Sequence, residues 1–248
     1  MLKEKNIAAI YDRIADDYYR SRTLDTKARI YHDYLEKPAL KSVVGGVKNK
    51  RVLDLGCGPG ILTDYFRRKG AKISGVDISK KEIEIARSEF KGIDFKVASA
   101  YKLPYPPNTF DMVISSWVIH YLDLDRALKE VRRVLKKGGF LVFSTNNPLQ
   151  EVTRHKKRLP RFIREFHDYF KEGVMSSTWW GHSGFQRITM PYIHLTYETI
   201  IKSIIKSGFS IADYKDAKPL PGMKRLSQKT YEYLSKVPNV CVFKIRKL

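Results

Sequence analysis

Asp54, Gly56, Gly58, Gly60 and Asp77 have the residue types and spacing needed to hold a nucleoside. The run VLDLGCGPG, residues 52–60, carries an apolar stretch into a glycine-rich turn, and Asp77 closes the next apolar run, ISGVD. Such a turn lets the backbone approach a ligand closely. A carboxylate about 20 residues beyond the first glycine then reaches ribose hydroxyls, as in a βαβ unit around a nucleoside-bearing cofactor. A dinucleotide fits less well, because its fingerprint is GxGxxG. Here the glycines fall as GxGxG, and Ile61 stands where the third glycine belongs. Asp54 also sets a negative charge beside the turn, which suits a cationic amino group and repels a diphosphate.

Other side chains could meet the rest of a ligand. Tyr11 and Tyr18 offer ring faces that attract a cation without attacking it. His120, His182 and His194 are the candidate proton acceptors, since histidine titrates near neutrality without perturbation. Cys57 and Cys241 are too few and too scattered for a zinc site or a disulfide framework; both are expected to be reduced and structural, and no metal site is expected.

The elements that would position these groups alternate. Ile7, Ile10, Tyr11, Ile14 and Tyr18 recur at helical intervals over 4–19, and a second helix is predicted over 26–41, ending near Gly45 and Gly46. A strand at 51–55 leads into a helix at 61–69 closed by Gly70, then a strand at 72–76 and a helix opened by the capping box Ser79, Lys80, Lys81, Glu82. Further strands are predicted near 93–97 and at 110–116. A helix at 125–136 stops at Gly138 and Gly139, and FLVFST forms a fifth strand. This alternation predicts an α/β fold with a doubly wound, mostly parallel sheet.

Residues 147–195 break the pattern with a basic run, Arg154, His155, Lys156, Lys157, Arg158, Arg161 and Arg164, and an aromatic segment, STWWGHSGF. This is an insertion after the fifth strand, which ends at Thr145 on the edge where a parallel sheet binds ligands. It is expected to form a mobile lid, with Trp179 and Trp180 excluding water and Gly181 and Gly184 giving freedom to open. Helix resumes at Tyr197 and stops at Gly208, and strands near 209–214 and 240–246 finish the chain.

The turn carrying Asp54, Gly56, Gly58 and Gly60 resembles motif I, E/DxGxGxG, of the class I S-adenosylmethionine-dependent methyltransferases. The resemblance is strong over about residues 48–146 and looser elsewhere. It implies a Rossmann-like sheet of seven strands whose last strand enters antiparallel. It also implies S-adenosylmethionine as cofactor and in-line methyl transfer to an O, N or C atom, in which orientation dominates and a base is optional. Carried over residue by residue, Gly56, Gly58 and Gly60 pass under the methionine part, Asp77 accepts both ribose hydroxyls, and Ile78 lies on the adenine.

Where the family often has an aspartate for the adenine amino group, in GDAxxLPF, this chain reads ASAYKLPY and has Ser99. Adenine recognition would then lean on Ser99, the backbone at Ala100 and stacking by Tyr101. Ser116, Trp117 and His120 stand where the family lines the methionine and methyl-donor region. IYDRIADDYYRSR is similar to the Y-x-x-I-A-x-x-Y lead-in that folds over the cofactor in many small-molecule and some tRNA methyltransferases, with Tyr11 and Tyr18 as its aromatics. His194 is the favoured catalytic residue because related enzymes often place a polar residue there over the acceptor; His120 and Tyr18 are the other catalytic candidates.

The expected organisation is a single methyltransferase domain, 1–248. Helices in 1–47 cover the cofactor, 48–146 forms the cofactor-binding core, 147–195 is the lid, and 196–248 adds a helix and two strands.

Charge bears on the acceptor. Lys and Arg number 47 against 26 Asp and Glu, a net +21, which favours encounters with anions; an abundance of Lys, Arg, Ile and Tyr also fits heat adaptation. A small-molecule acceptor under the lid is the favoured expectation. The alternative is RNA, its phosphates tracked by Arg154 to Arg164, since the lead-in and VIHYL are similar to tRNA wobble-uridine methyltransferases too. No apolar stretch approaches the roughly 18 residues that span a membrane, and MLKEKN lacks a signal-peptide core, so a cytoplasmic setting without membrane contact is expected.

Overall fold

A computed structural model describes residues 2–25, 29–152, 169–180 and 187–248. In chain order, α1 (Glu4–Thr23) and α2 (Lys37–Val44) precede β1 (Arg51–Leu55), α3 (Ile61–Arg68), β2 (Lys72–Asp77) and α4 (Lys80–Glu89). Then come β3 (Asp94–Val97), β4 (Phe110–Ser116), α5 (Leu124–Val134), β5 (Leu135–Asn146) and α6 (Leu149–Val152). The remainder is β6 (Gly173–Trp180), β7 (Arg187–His194), α7 (Tyr197–Lys206), β8 (Phe209–Asp216), α8 (Gln228–Leu234) and β9 (Val240–Lys247).

The main sheet has seven strands in the order β3-β2-β1-β4-β5-β9-β8. From β3 to β5 all neighbours are parallel, and β9 enters between β5 and β8 antiparallel to both. Burial on both faces explains the near-continuous apolar strands. Val52, Met112, Ile114 and Val142 face α2 and α3, while Leu53, Val113 and Phe143 face α5 and α7. The chain steps from β1 to β3 on one side and from β4 to β5 on the other, so the order reverses between β1 and β4. The crevice beyond their carboxyl ends is where such a sheet takes its ligand.

The structure departs from the sequence expectations in three places. The helix expected over 26–41 becomes a π-helical turn at His32–Glu36 that passes into α2. Pro38 has no amide to give Tyr34, so the regular helical bond is lost, and the Tyr34 carbonyl accepts from Leu220 N at 2.7 Å instead. The helix expected to reach 136 stops at Val134, and the Gly138–Gly139 stop is a bulge inside β5, where the pairing jumps from Phe110 with Leu135 to Met112 with Phe140. The expected insertion contains an antiparallel ribbon, β6 with β7. Ile188 and Met190 of β7 pack on Ile14 of α1, beside Tyr11, Tyr18 and Tyr121.

The basic run from Arg154 to Arg164, together with Gly181, His182 and Gly184, lies outside the described residues. Among the described residues no helix is long and apolar enough to cross a membrane.

Candidate functional site

A cavity of about 740 Å³ opens over the carboxyl ends of β1, β2 and β4. Its floor is the glycine turn after β1, and each glycine there is required for a different reason. Gly58 has φ of 51°, and a Cβ on it would meet nothing nearer than Glu82 Oε2 at 3.9 Å, so its bare backbone faces the cavity. At Gly56 a Cβ would lie 2.2 Å from Val118 Cγ2; this glycine admits the loop that follows β4. Gly60 turns the chain into α3 and lies against Phe95, away from the cavity lining.

Acidic groups ring this turn. Asp77 uses both oxygens on the backbone, accepting from Gly58 N and Ser79 N at 2.9 Å each. Burial raises its pKa. Burial also pushes Asp54 up to about 7, against the lowering effect of the hydrogen bond from Thr63. The expected capping box is half made: Ser79 Oγ accepts from Glu82 N at 3.1 Å, but the Ser79 amide is taken by Asp77. The Glu82 carboxyl lines the cavity instead, with both oxygens buried and without a hydrogen-bond partner among the described residues. Burial, reinforced by Asp77 and Asp12, pushes it up to about 9.

One stripe of α1 forms a wall. Glu4, Ile7, Tyr11, Tyr18 and Arg22 line the cavity at helical spacing, and polar contacts tie the helix to the sheet edge. Ser99 Oγ donates to Glu4 Oε1 at 2.6 Å, Ser79 Oγ to Asp12 Oδ1 at 2.6 Å, and Tyr19 OH to Glu89 Oε2 at 2.8 Å. Tyr11 donates to Tyr121 at 3.2 Å and stands edge-on to the Tyr18 ring at 5.9 Å. The Arg22 guanidinium sits 5.7 Å over the Tyr18 ring, and its buried Nη1 lacks a partner among the described residues.

At the far end the π-helical turn brings the Glu36 carboxylate inward, where Ser116 and Ser144 donate to Oε1 at 2.8 and 2.6 Å. Ser144 Oγ in turn accepts from Trp117 N at 3.1 Å, holding Trp117 in the left-handed region at φ 60°. A bulky residue persists there when its surroundings over-determine it. The indole Nε1 and His32 Nδ1 are buried without partners among the described residues, and the two rings lie 5.4 Å apart. His120 is buried, with Nδ1 3.5 Å from Thr145 Oγ1, and burial lowers its pKa to about 3. Met190 and Tyr192 of β7 complete this end.

The cavity therefore gathers Tyr11, Tyr18, Asp54, Gly56, Gly58, Asp77, Ile78, Ala100, Ser116, Trp117 and His120. Other residues expected at the site stand outside its lining. Ser99 Oγ is engaged twice, donating to Glu4 and accepting from Tyr101 N at 3.0 Å. The Tyr101 hydroxyl accepts from Asp123 N at 2.7 Å and its ring lies under the Arg126 guanidinium, so it does not stack over the cavity. His194 is buried at the end of β7 with Nε2 3.0 Å from the Tyr169 carbonyl, turned away from the cavity. Glu4, Arg22, His32 and Glu82 were not anticipated; Glu4 and Arg22 continue the 7-11-14-18 stripe by one turn each way.

A methyltransferase domain model matches residues 53–143. The chain is 30% identical over 203 residues to a demethylmenaquinone methyltransferase of Thermobifida fusca, covering 74% of this chain and 84% of that protein. It is 27% identical over 201 residues to a malonyl-[acyl-carrier protein] O-methyltransferase of Pseudescherichia vulneris, covering 77% and 75%. Among solved structures, an S-adenosylmethionine-dependent methyltransferase from Mesorhizobium loti superposes with a TM-score of 0.70 at 27% identity, covering 85% of this chain and 96% of that one. With the strand order, the glycine turn and Asp77 at the end of β2, these likenesses make the chain a member of the class I S-adenosylmethionine-dependent methyltransferases.

Proposed function

We propose that the enzyme transfers the methyl group of S-adenosylmethionine to a small molecule held in the same cavity, between Trp117, His120 and β7. The observation that carries this is the cavity itself. At about 740 Å³ it runs from Asp77 to Tyr192, within the range of small-ligand sites, and has room for a donor and a compact acceptor together. The activities for which the two relatives are named lend support.

The lining suits the donor, whose buried orphan groups would otherwise be costly. Asp54 matches an ammonium, Arg22 Nη1 a carboxylate, and Asp77 with Glu82 the ribose hydroxyls; Ile7, Ile78 and Ala100 give apolar faces for adenine. When bound, S-adenosylmethionine supplies a methyl group already activated on a cationic sulfur. Tyr18, whose phenol burial keeps protonated, presents a ring to that cation. His120 stays neutral near pH 7 and is a weak base with a pKa of about 3. It acts by accepting a hydrogen bond and orienting the acceptor, while Trp117 Nε1 donates to an acceptor oxygen. Orientation is then the main contribution of the protein.

Labelled methyl transfer into fractionated cell extract tests the assignment. Label is expected in the nuclease-resistant small-molecule pool, and its appearance in a nuclease-sensitive pool would overturn the small-molecule reading in favour of RNA.

A further inference from the structure

We propose that Glu4 reads the adenine amino group of the cofactor, so that the base is recognised by the first turn of the N-terminal helix rather than from the sheet edge. If the cavity holds the cofactor as proposed above, the adenine belongs in the slot next to Asp77. Ile7, Ile78, Ala98, Ala100 and Leu122 give the cavity lining its apolar side chains near Asp77, and Glu4, tied to Ser99 between Ala98 and Ala100, brings a carboxyl to that part of the lining.

Ser99, the residue on the sheet side, keeps at most one free hydroxyl lone pair and does not reach the slot. It donates its proton to Glu4 Oε1 at 2.6 Å and accepts from Tyr101 N at 3.0 Å, and it stands outside the cavity lining. A carboxylate has lone pairs for about four donors, so accepting from Ser99 leaves Glu4 able to accept again. The Ser99 bond fixes the carboxylate at the end of the slot. Facing a purine, a carboxylate accepts from an exocyclic amine and repels a carbonyl oxygen at the same position. Glu4 is thereby a specificity residue for adenine over hypoxanthine or guanine.

Calorimetry on the full chain with S-adenosylhomocysteine and S-inosylhomocysteine tests this, because the second ligand replaces the amine with a carbonyl. Wild type is expected to bind the adenosyl compound more tightly by roughly tenfold or more, the worth of a charge-assisted bond. Glu4→Ala should weaken the adenosyl compound by roughly ten- to a hundredfold while leaving the two ligands within about threefold of each other. Glu4→Gln keeps an acceptor for Ser99, and so the helix anchor, while adding a donor; discrimination should collapse here as well. Adding Ser99→Asp to Glu4→Ala, which returns a carboxylate from the sheet side, should restore preference for adenine. A helix anchor without a recognition role would weaken both ligands equally in Glu4→Ala and preserve discrimination in Glu4→Gln, and that result overturns the proposal. Adenosyl binding unchanged in both variants overturns it too while sparing the cofactor assignment. Failure of wild type to bind S-adenosylhomocysteine removes that assignment and this one with it.

Discussion

Thr63 Oγ1 donates to Asp54 Oδ2 at 2.7 Å, joining the end of β1 to the first turn of α3 beneath the cavity. Burial outweighs the bond and leaves the carboxyl near half protonation at about 7. An ammonium needs the carboxylate, and apparent affinity scales with the competent fraction. Affinity for S-adenosylhomocysteine should therefore rise with pH through about 7 and fall roughly tenfold one unit below it. Asp54→Asn should bind weakly with the step removed, and Thr63→Val should move the step upward. Calorimetry across this range decides it; a flat profile in wild type would separate Asp54 from the ligand.

The glycines at 56 and 58 should fail in different ways when substituted. Gly58→Val projects into open cavity, so it meets no clash. A β-branched residue at φ 51° costs some stability, but its main effect should be S-adenosylhomocysteine binding below detection. Gly56→Ala drives a methyl group into Val118 and should cost stability, by about 1 to 3 kcal/mol as for overpacked cores. Thermal unfolding and calorimetry on each variant separate the two; normal ligand affinity in Gly58→Val would contradict the placement of the turn.

Glu82 makes ligand-free stability depend on pH. Its folded pKa, about 9, lies above its ordinary value of 4.5, so the folded state holds a proton that the unfolded chain releases. The stability this proton contributes is complete below about 4.5 and is lost as pH rises through about 9. The melting temperature should fall across that interval, and Glu82→Gln should flatten the fall and raise the melting temperature at its alkaline end. A parallel decline in the variant would assign the loss to other groups.

For His120, burial predicts an imidazole that stays neutral down to mildly acidic pH, with a pKa of about 3. Histidine resonances followed by NMR should show no His120 titration above pH 5 or so, and the transfer rate should carry no inflection from it. An inflection near neutrality that disappears in His120→Asn would restore it as a base.

The glycine turn and Asp77 were legible because their constraint is local: a turn between two short strands leaves little choice of geometry. The core strands were legible because both faces are covered. What escaped depends on remote partners. The π-helical turn follows from Pro38 together with a carbonyl satisfied by Leu220, nearly two hundred residues away in sequence. β6 mixes polar residues with aromatics and shows no clear period. β7 does alternate, with Ile188, Met190 and Tyr192 buried and Thr189 exposed between them, but Pro191 in its middle argues against a strand on sequence alone. His194 stands beside the helix start as expected, yet its adjacency in sequence says nothing about which way β7 turns it. Glu82 matched a capping box, and the competing claim of Asp77 on the Ser79 amide released its carboxyl to the cavity.

The strand order has a consequence for how the molecule is made. β9 follows every other strand in the chain yet lies inside the sheet, and β8 is joined to the rest through it. Until residues 240–247 emerge, β5 keeps an open edge and β8 has no neighbour among the described strands. An unpaired inner strand is a template for pairing with other chains. Completion of this half of the sheet therefore waits for β9, which also packs under α2 and shares an apolar cluster with Val52 of β1, and a chain cut before Val240 should accumulate as aggregate.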